Sequence, residues 1–186
     1  MKQVKIFIIA LIMTFTLYAG ESDETGYKKS PLTIYSGGIG LGVVRSINDE
    51  LKNESKTFLD LSFINDVYIT HRVHMFTDVN WLAPRLNLGV DAGFDFLFIA
   101  SRFRPFIGAG IGARYFDKSD YDFGSNLGPS VTVRLGMTFD IIPEVQMRLR
   151  VPYYVVVNET TDQIVGLDLG ILFSKPYRDI KKIMPN

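Results

Sequence analysis

The stretch LNLGVDAGFDFLF, residues 86–98, alternates apolar residues with polar or small ones along almost its whole length. Every second residue from Leu86 to Phe98 is apolar, and Asp91 and Asp95 lie between them. Successive side chains of a strand point to opposite faces, so this strand has a hydrocarbon face and a face that carries carboxylates. The fold therefore depends on whether the hydrocarbon face points into a protein core or out to lipid.

Seven other segments alternate in the same way, and helical periodicity fits none of them as well. A run of strands without intervening helices predicts an antiparallel up-and-down meander. Eight strands of about 10–13 residues suit a transmembrane β-barrel, whose tilted strands need about 9–11 residues to cross the bilayer. We predict an all-β, eight-stranded antiparallel transmembrane barrel over 32–174. Its other strands are 32–47, 57–69, 72–81, 105–116, 130–141, 145–157 and 164–173.

The connections between these segments differ in length. If the first strand starts on the periplasmic side, the odd connections are extracellular, and three of these four are long and polar; the exception is 82–85. The even connections, which would be periplasmic, are mostly short. Long extracellular loops with short periplasmic turns are typical of outer-membrane barrels. The long connections are 48–56, 117–129 and 158–163, and the even ones are 70–71, 99–104 and 142–144.

The polar faces of the segments carry charges of opposite sign. The second to fourth segments carry aspartates there, and the fifth to seventh carry arginines. In a closed barrel the two sets converge on a narrow interior, where a buried charge is tolerated when it is paired. We therefore predict an interior salt-bridge network. It comprises Asp60, Asp66, Asp78, Asp91, Asp95, Arg114, Arg134, Asp140, Arg148, Arg150 and Asp168.

A soluble barrel of the lipocalin type is the competing interpretation. It would be apolar inside, with a solvated outer face rich in Lys and Glu. The polar faces here carry almost no Lys or Glu and consist mainly of Asp, Arg, Gly, Ser, Thr, Asn and Gln. Glycines at alternate positions of 38–42 and 108–112 fall on the same face, which suggests close approach across the interior. The composition favours an enclosed lumen and an apolar face towards lipid.

Aromatic residues on the apolar faces fall near strand ends. In the topology above, Trp81 and Tyr115 lie near the extracellular rim. Phe98, Phe139 and Phe173 lie near the periplasmic rim. Two girdles of this kind are typical of barrels in a bilayer, because aromatic rings favour the membrane–water interface.

The N-terminus has the pattern of a secretory signal. Two lysines precede an uncharged apolar run over 6–18, and small residues then come before a polar stretch. The run is shorter than the roughly 20 residues of a spanning helix, so we expect a signal peptide over 1–20 and a polar leader over 21–31. An uncleaved N-terminal anchor is the alternative. In either case the chain leaves the cytoplasm, and we predict a location in the outer membrane.

Composition excludes several classes of function. The chain has 20 Lys plus Arg and 20 Asp plus Glu, so no overall positive charge favours nucleic acid. It has no cysteine, which excludes disulfides, thiolate metal sites and lipoprotein acylation. The only histidines, His71 and His74, would point to opposite faces of a strand and cannot chelate one metal from one wall. We expect neither a metal nor a cofactor.

Two segments resemble the small outer-membrane barrels of the OmpA transmembrane domain and OmpX family. RPFIGAGIGARYF over 104–116 resembles that family's glycine-alternating strand. VGLDLGILF over 165–173 resembles the closing strand that the barrel-assembly machinery reads, with Gly166, Leu169, Ile171 and Phe173 at the expected spacing. The resemblance covers about 31–174 and implies a type of barrel rather than a function.

The chain departs from that family at its end. A short tail over 175–186 follows the final aromatic residue, which is usually the last residue of such a barrel. The tail is too short to be the peptidoglycan-binding domain of OmpA-type proteins. Its basic residues suit either a solvated periplasmic tail or a contact with anionic headgroups or cell-wall polymer.

An enzyme is one of three classes of function compatible with such a barrel. Some eight-stranded outer-membrane barrels modify lipid A with Ser/His or His/Asp groups at the outer rim. Here His74 would lie in the lumen nearer the periplasmic end, and no serine follows a histidine by two positions on one strand face. Separate strands could still assemble a catalytic set. We nevertheless expect that the protein is not an enzyme, with a lipid-modifying enzyme or a narrow channel as alternatives.

The favoured interpretation is a structural or surface-interaction protein whose extracellular loops face a ligand. One candidate binding loop places aromatic residues among acids, at Asp120, Tyr121, Asp122 and Phe123. Such a loop can bind a cation, a glycan or a host protein, or simply pack over the barrel mouth. The expected partners are outer-membrane lipid, the barrel-assembly machinery and an extracellular ligand or host surface.

Overall fold

The computed structural model describes residues 33–47, 57–70, 72–84, 86–99, 102–117, 127–142, 144–157 and 161–176. Several predicted features lie outside these residues. They are the signal peptide, the leader, the candidate binding loop at 120–123, His71 and the tail from 177 onwards.

Eight strands form one closed antiparallel barrel in which each strand pairs with the next and β1 pairs with β8. This confirms the predicted fold class. Within the described residues, no helix is long and apolar enough to cross a membrane. The strands are β1 Thr33–Ser46, β2 Thr57–Tyr68, β3 Val73–Ala83, β4 Asn87–Leu97, β5 Phe103–Tyr115, β6 Leu127–Ile142, β7 Val145–Val157 and β8 Thr161–Pro176.

The stretch 86–98 forms β4 and its flanking residues, and it answers the question of which face is outward. Leu86 and Phe94 are 58% and 54% exposed on the outer wall. Asp91 and Asp95 are buried in the interior, at 1% and 0% exposure. The period of two along a strand therefore puts hydrocarbon outside and charge inside, the reverse of a soluble barrel.

The barrel has two ends, which we name by their connections. The loop rim carries the connections after β1, β3, β5 and β7, and the turn rim carries those after β2, β4 and β6 together with the start of β1 and the end of β8. We predict that the loop rim is extracellular. Apolar side chains fill the lumen near the loop rim, where Phe58, Leu82, Phe116 and Tyr154 are among a buried cluster.

Glycine on the inner face gives the charged side chains their space. A Cβ atom added at Gly108 would lie 1.8 Å from Oδ1 of Asp95. One added at Gly110 would lie 2.7 Å from Cζ of Phe76. Both distances are far below van der Waals contact, so β5 must present bare backbone opposite these side chains.

Candidate functional site

Arg134 joins three strands across the lumen. From β6, its Nε donates to Oδ1 of Asp95 on β4 at 2.7 Å, and its Nη1 donates to Oδ2 of Asp78 on β3 at 2.6 Å. A second bond, from Nη2 to the other oxygen of Asp95, makes that pair bidentate. The guanidinium also lies 3.3 Å from the centroid of the Phe76 ring, a cation–π contact.

Two arginines of β7 form further ion pairs, one with β8 and β3 and the other with β2. Nε of Arg150 donates to Oδ1 of Asp168 at 2.8 Å, and its Nη1 donates to the same Asp78 oxygen that Arg134 reaches. Arg148 crosses the lumen to donate from Nη2 to Asp66 on β2. Since Asp78 is shared, one continuous set of ion pairs joins β3, β4, β6, β7 and β8.

Two further pairs join neighbouring strands. Nη2 of Arg114 lies 2.5 Å from Asp91, which also accepts a bond from Thr132 at 2.7 Å. Arg104 pairs with Asp140 near the turn rim. Asp60 is held differently, because Nδ2 of Asn80 donates to its carboxylate at 3.1 and 3.3 Å.

The structure thus places all eleven proposed network residues in the lumen with little exposure. It brings ten of them into arginine–aspartate pairs, and it holds Asp60 by an amide. A buried pair with its hydrogen bonds satisfied is tolerated, whereas a lone buried charge is costly. These ion pairs can hold the barrel closed. Lipid outside the barrel does not contact their charges directly.

Two charged residues and one histidine of the described interior are absent from the predicted network. Arg104 lies one residue before the predicted start of its strand, and Asp162 lies in a segment predicted to be a connection. His74 was expected in the lumen but was not counted among the network residues. The alternation of burial continues through all three, so a longer strand boundary would have included the two charged residues.

His74 lies between two aspartates at the turn-rim end of the lumen. Its Nε2 is 3.1 Å from Oδ2 of Asp95, and its Nδ1 is 3.6 Å from Oδ2 of Asp66. Tyr68 stacks on its ring at 4.9 Å between centroids. The hydroxyl of Ser36 points to Asp66, at 3.5 Å, so this serine and histidine share a carboxylate. Because His74 is fully buried, an acyl ester in the surrounding lipid cannot reach it.

The outer wall is an apolar band with aromatic residues at both ends. Trp81 and Tyr115 point outward near the loop rim, and Phe98, Phe139 and Phe173 point outward near the turn rim. Among the described strand residues, no histidine, serine or carboxylate points outward. The described part of the wall therefore offers lipid no acid–base pair built from these residue types.

Solved structures share this barrel. Neisserial surface protein A matches with a TM-score of 0.62 and 14% identity, covering 76% of this chain and 97% of that chain. The N-terminal β-barrel domain of OprF from Pseudomonas aeruginosa matches with a TM-score of 0.55 and 12% identity, covering 74% and 97%. At these identities the likeness shows the fold, which is that of small eight-stranded outer-membrane barrels. A search of curated protein sequences gave no match.

The outer-membrane enzyme PagL also matches, with a TM-score of 0.47 and 15% identity, covering 73% of this chain and 98% of that chain. At that TM-score the structural likeness supports no conclusion about function.

A family model described as lipid A 3-O-deacylase (PagL) matches residues 38–154, which is more than half of the chain. The expectation that the protein is not an enzyme is therefore wrong. It relied on the absence of a histidine–serine spacing within one strand, whereas a catalytic set is defined by geometry and can be assembled from distant segments. The match places the protein in the outer membrane of Gram-negative bacteria, and the chain belongs to the PagL family of lipid A 3-O-deacylases.

Proposed function

We propose that the protein is an outer-membrane deacylase that hydrolyses an ester-linked acyl chain of lipid A or a closely related glycolipid. The family match carries this proposal, because it extends over residues 38–154 and so covers the barrel from β1 into β7. The lipid-facing wall supports it, because such a barrel lies among the molecules that would be its substrates.

The proposed reaction is the hydrolysis of a carboxylic ester. The oxygen of a water molecule bonds to the acyl carbonyl carbon, either directly or after transfer of the acyl group to a nucleophile of the protein. The bond between that carbon and the sugar oxygen breaks, and the sugar oxygen takes a proton. The products are a fatty acid and a glycolipid with a free hydroxyl group.

The barrel's contribution is to position this reaction at the membrane surface. Its interior is filled by paired arginines and aspartates and by the apolar cluster near the loop rim, so the substrate would approach laterally through lipid. Aromatic residues such as Trp81 and Tyr115 hold the loop rim at the interface. Because an acyl ester lies where hydrocarbon meets headgroup, we infer that the reaction takes place just outside this rim.

Other roles have less support. A filled interior of eight strands leaves little space for a channel. A surface ligand or host partner at 120–123 stays a prediction, because those residues are outside the described part of the chain. Recognition of β8 by the barrel-assembly machinery is a separate proposal about biogenesis, and it is compatible with an enzyme.

The direct test is an assay of the purified, refolded protein with lipid A in mixed micelles. We expect release of fatty acid, detected by mass spectrometry together with a lipid A product that is lighter by one acyl chain. A folded protein that releases no fatty acid would contradict the proposed function. Folding is checked by heat-modifiable migration on a gel.

His74 provides a prediction about where the reaction takes place. We expect His74→Asn to leave turnover per folded molecule unchanged within about twofold, because the imidazole is buried between aspartates inside the barrel. Stability should fall, since buried polar groups would lose their partner. If the variant folds but its turnover is abolished, the reaction is not on the outer side of the wall.

A further inference from the structure

The outward positions nearest the loop rim divide the barrel into a polar part and an apolar part. These positions are the last two outward residues of each strand at this rim. Polar side chains occupy them on only three adjacent strands among the described residues, namely β8, β1 and β2. We call this set the polar arc, and it consists of Arg45, Thr57, Thr161 and Gln163.

The other five strands have apolar or aromatic side chains at the corresponding positions. Examples are Trp81 on β3, Leu88 on β4 and Tyr115 on β5. A barrel that only needed anchoring in the bilayer would have no reason to restrict polar groups to one side. The division therefore indicates a preferred contact on the side of β8, β1 and β2.

Register places the members of the polar arc next to one another. Arg45 pairs directly with Thr57 on β2 and with Val165 on β8. Gln163 lies one outward position beyond Val165, and its backbone oxygen accepts a bond from the Ile47 amide at 2.8 Å. Diagonal neighbours of this kind are about 7–8 Å apart, so one ligand can contact Arg45 and Gln163 together.

The chemistry of the polar arc suits an anion. Arg45 is exposed and brings the arc's one charge, and no carboxylate is a member of the arc. The hydroxyl of Tyr153 on β7 donates to Oε1 of Gln163 at 2.8 Å, which fixes the orientation of the amide. A guanidinium in a fixed fork is well suited to the oxygens of a phosphoryl group.

We propose that the polar arc binds the phosphoryl group of a glycolipid headgroup and so selects the side of the barrel on which the substrate lies. This inference rests on the proposed function for the identity of the lipid. Arg45 would act as a binding residue that orients the headgroup, with the acyl ester lying below it towards the hydrocarbon.

The test compares binding of bisphosphorylated and dephosphorylated lipid A in detergent micelles. We expect the wild-type protein to prefer the phosphorylated lipid and Arg45→Met to lose about tenfold in affinity for it, which corresponds to ~1.4 kcal/mol. Arg45→Lys should retain part of the preference. The matched control is Arg72→Met, an exposed arginine at the opposite rim, which should bind like the wild type.

The outcomes of this test distinguish a failure of the inference from a failure of the proposed function. Equal affinity of Arg45→Met and wild-type protein for phosphorylated lipid would overturn the inference, even if the enzyme releases fatty acid. Loss of binding in Arg45→Met with no turnover in the wild type would support the polar arc and refute the deacylase. If soluble glucosamine 1-phosphate competes as strongly as the phosphorylated lipid does, the polar arc is a site for free phosphate. That result would overturn the assignment to a lipid.

Discussion

Replacing Arg134 by methionine is expected to destabilise the barrel by about 3–5 kcal/mol, because it leaves buried carboxylates without their main partner. Arg134 is 1% exposed and bonds to both Asp78 and Asp95. Asp78 keeps Arg150 and Asp95 keeps His74, but neither keeps its full set of hydrogen bonds. The measurement is the free energy of unfolding in urea, with the protein in phospholipid vesicles.

Two further variants show whether this loss comes from the uncompensated charge. Arg72→Met removes an exposed arginine and should change the unfolding free energy by no more than about 0.5 kcal/mol. The double variant Arg134→Met with Asp95→Asn also removes one of the carboxylate charges that lost its arginine partner. It should recover part of the lost unfolding free energy. Equal stability of Arg134→Met and Arg72→Met would show that the interior network does not stabilise the barrel.

Placing arginine at Ala92 is expected to cost about 2–4 kcal/mol in a bilayer, since a charge near the midplane must leave water. Ala92 is the central residue of β4, points outward and is exposed, with Thr77 and Ile111 beside it. The same substitution at Leu86, at the loop rim, should cost only about 0–1 kcal/mol.

The comparison is again made by urea unfolding in phospholipid vesicles. A difference between Ala92→Arg and Leu86→Arg that is present in vesicles and smaller in detergent micelles is the expected result, because micelles deform around a charge more easily. If the two variants unfold with the same free energy in vesicles, the band around Ala92 does not face hydrocarbon.

The strands could be predicted because each one alternates with a period of two over many residues. In β4 this alternation gave the direction of Asp91 and Asp95 without any knowledge of their partners. The predicted positions of the strand ends were less accurate. β6 begins at Leu127 and β8 begins at Thr161, earlier than predicted, because 127–129 and 161–163 pair with the neighbouring strands although their Gly, Pro and polar residues also suit a loop.

The partners inside the lumen could not be predicted in the same way. Whether Arg148 meets Asp66 or another aspartate depends on the stagger of strands that are 82 residues apart in sequence. The sharing of Asp78 by Arg134 and Arg150 also depends on side-chain reach across the barrel. A general opposition of acidic and basic strands is visible in the sequence, whereas individual pairs are a property of the closed structure.

The function was the least accessible part. Motifs within a single strand gave no catalytic arrangement, and His74 lies inside the barrel with two aspartates. The polar arc was also missed, because Arg45, Thr57 and Gln163 come from three separate segments and meet only when β1 closes against β8. The family match over 38–154 supplied what the pattern of single strands did not.

The most direct test of the deacylase is the composition of lipid A in living cells. The full chain is expressed in a Gram-negative host that lacks a related enzyme. Lipid A is then extracted, and the molecular masses of its species are measured by mass spectrometry. We predict a new species that is lighter by one ester-linked acyl chain and is absent from cells with the empty vector. Unchanged lipid A, with the folded protein present in the outer-membrane fraction, would contradict the account.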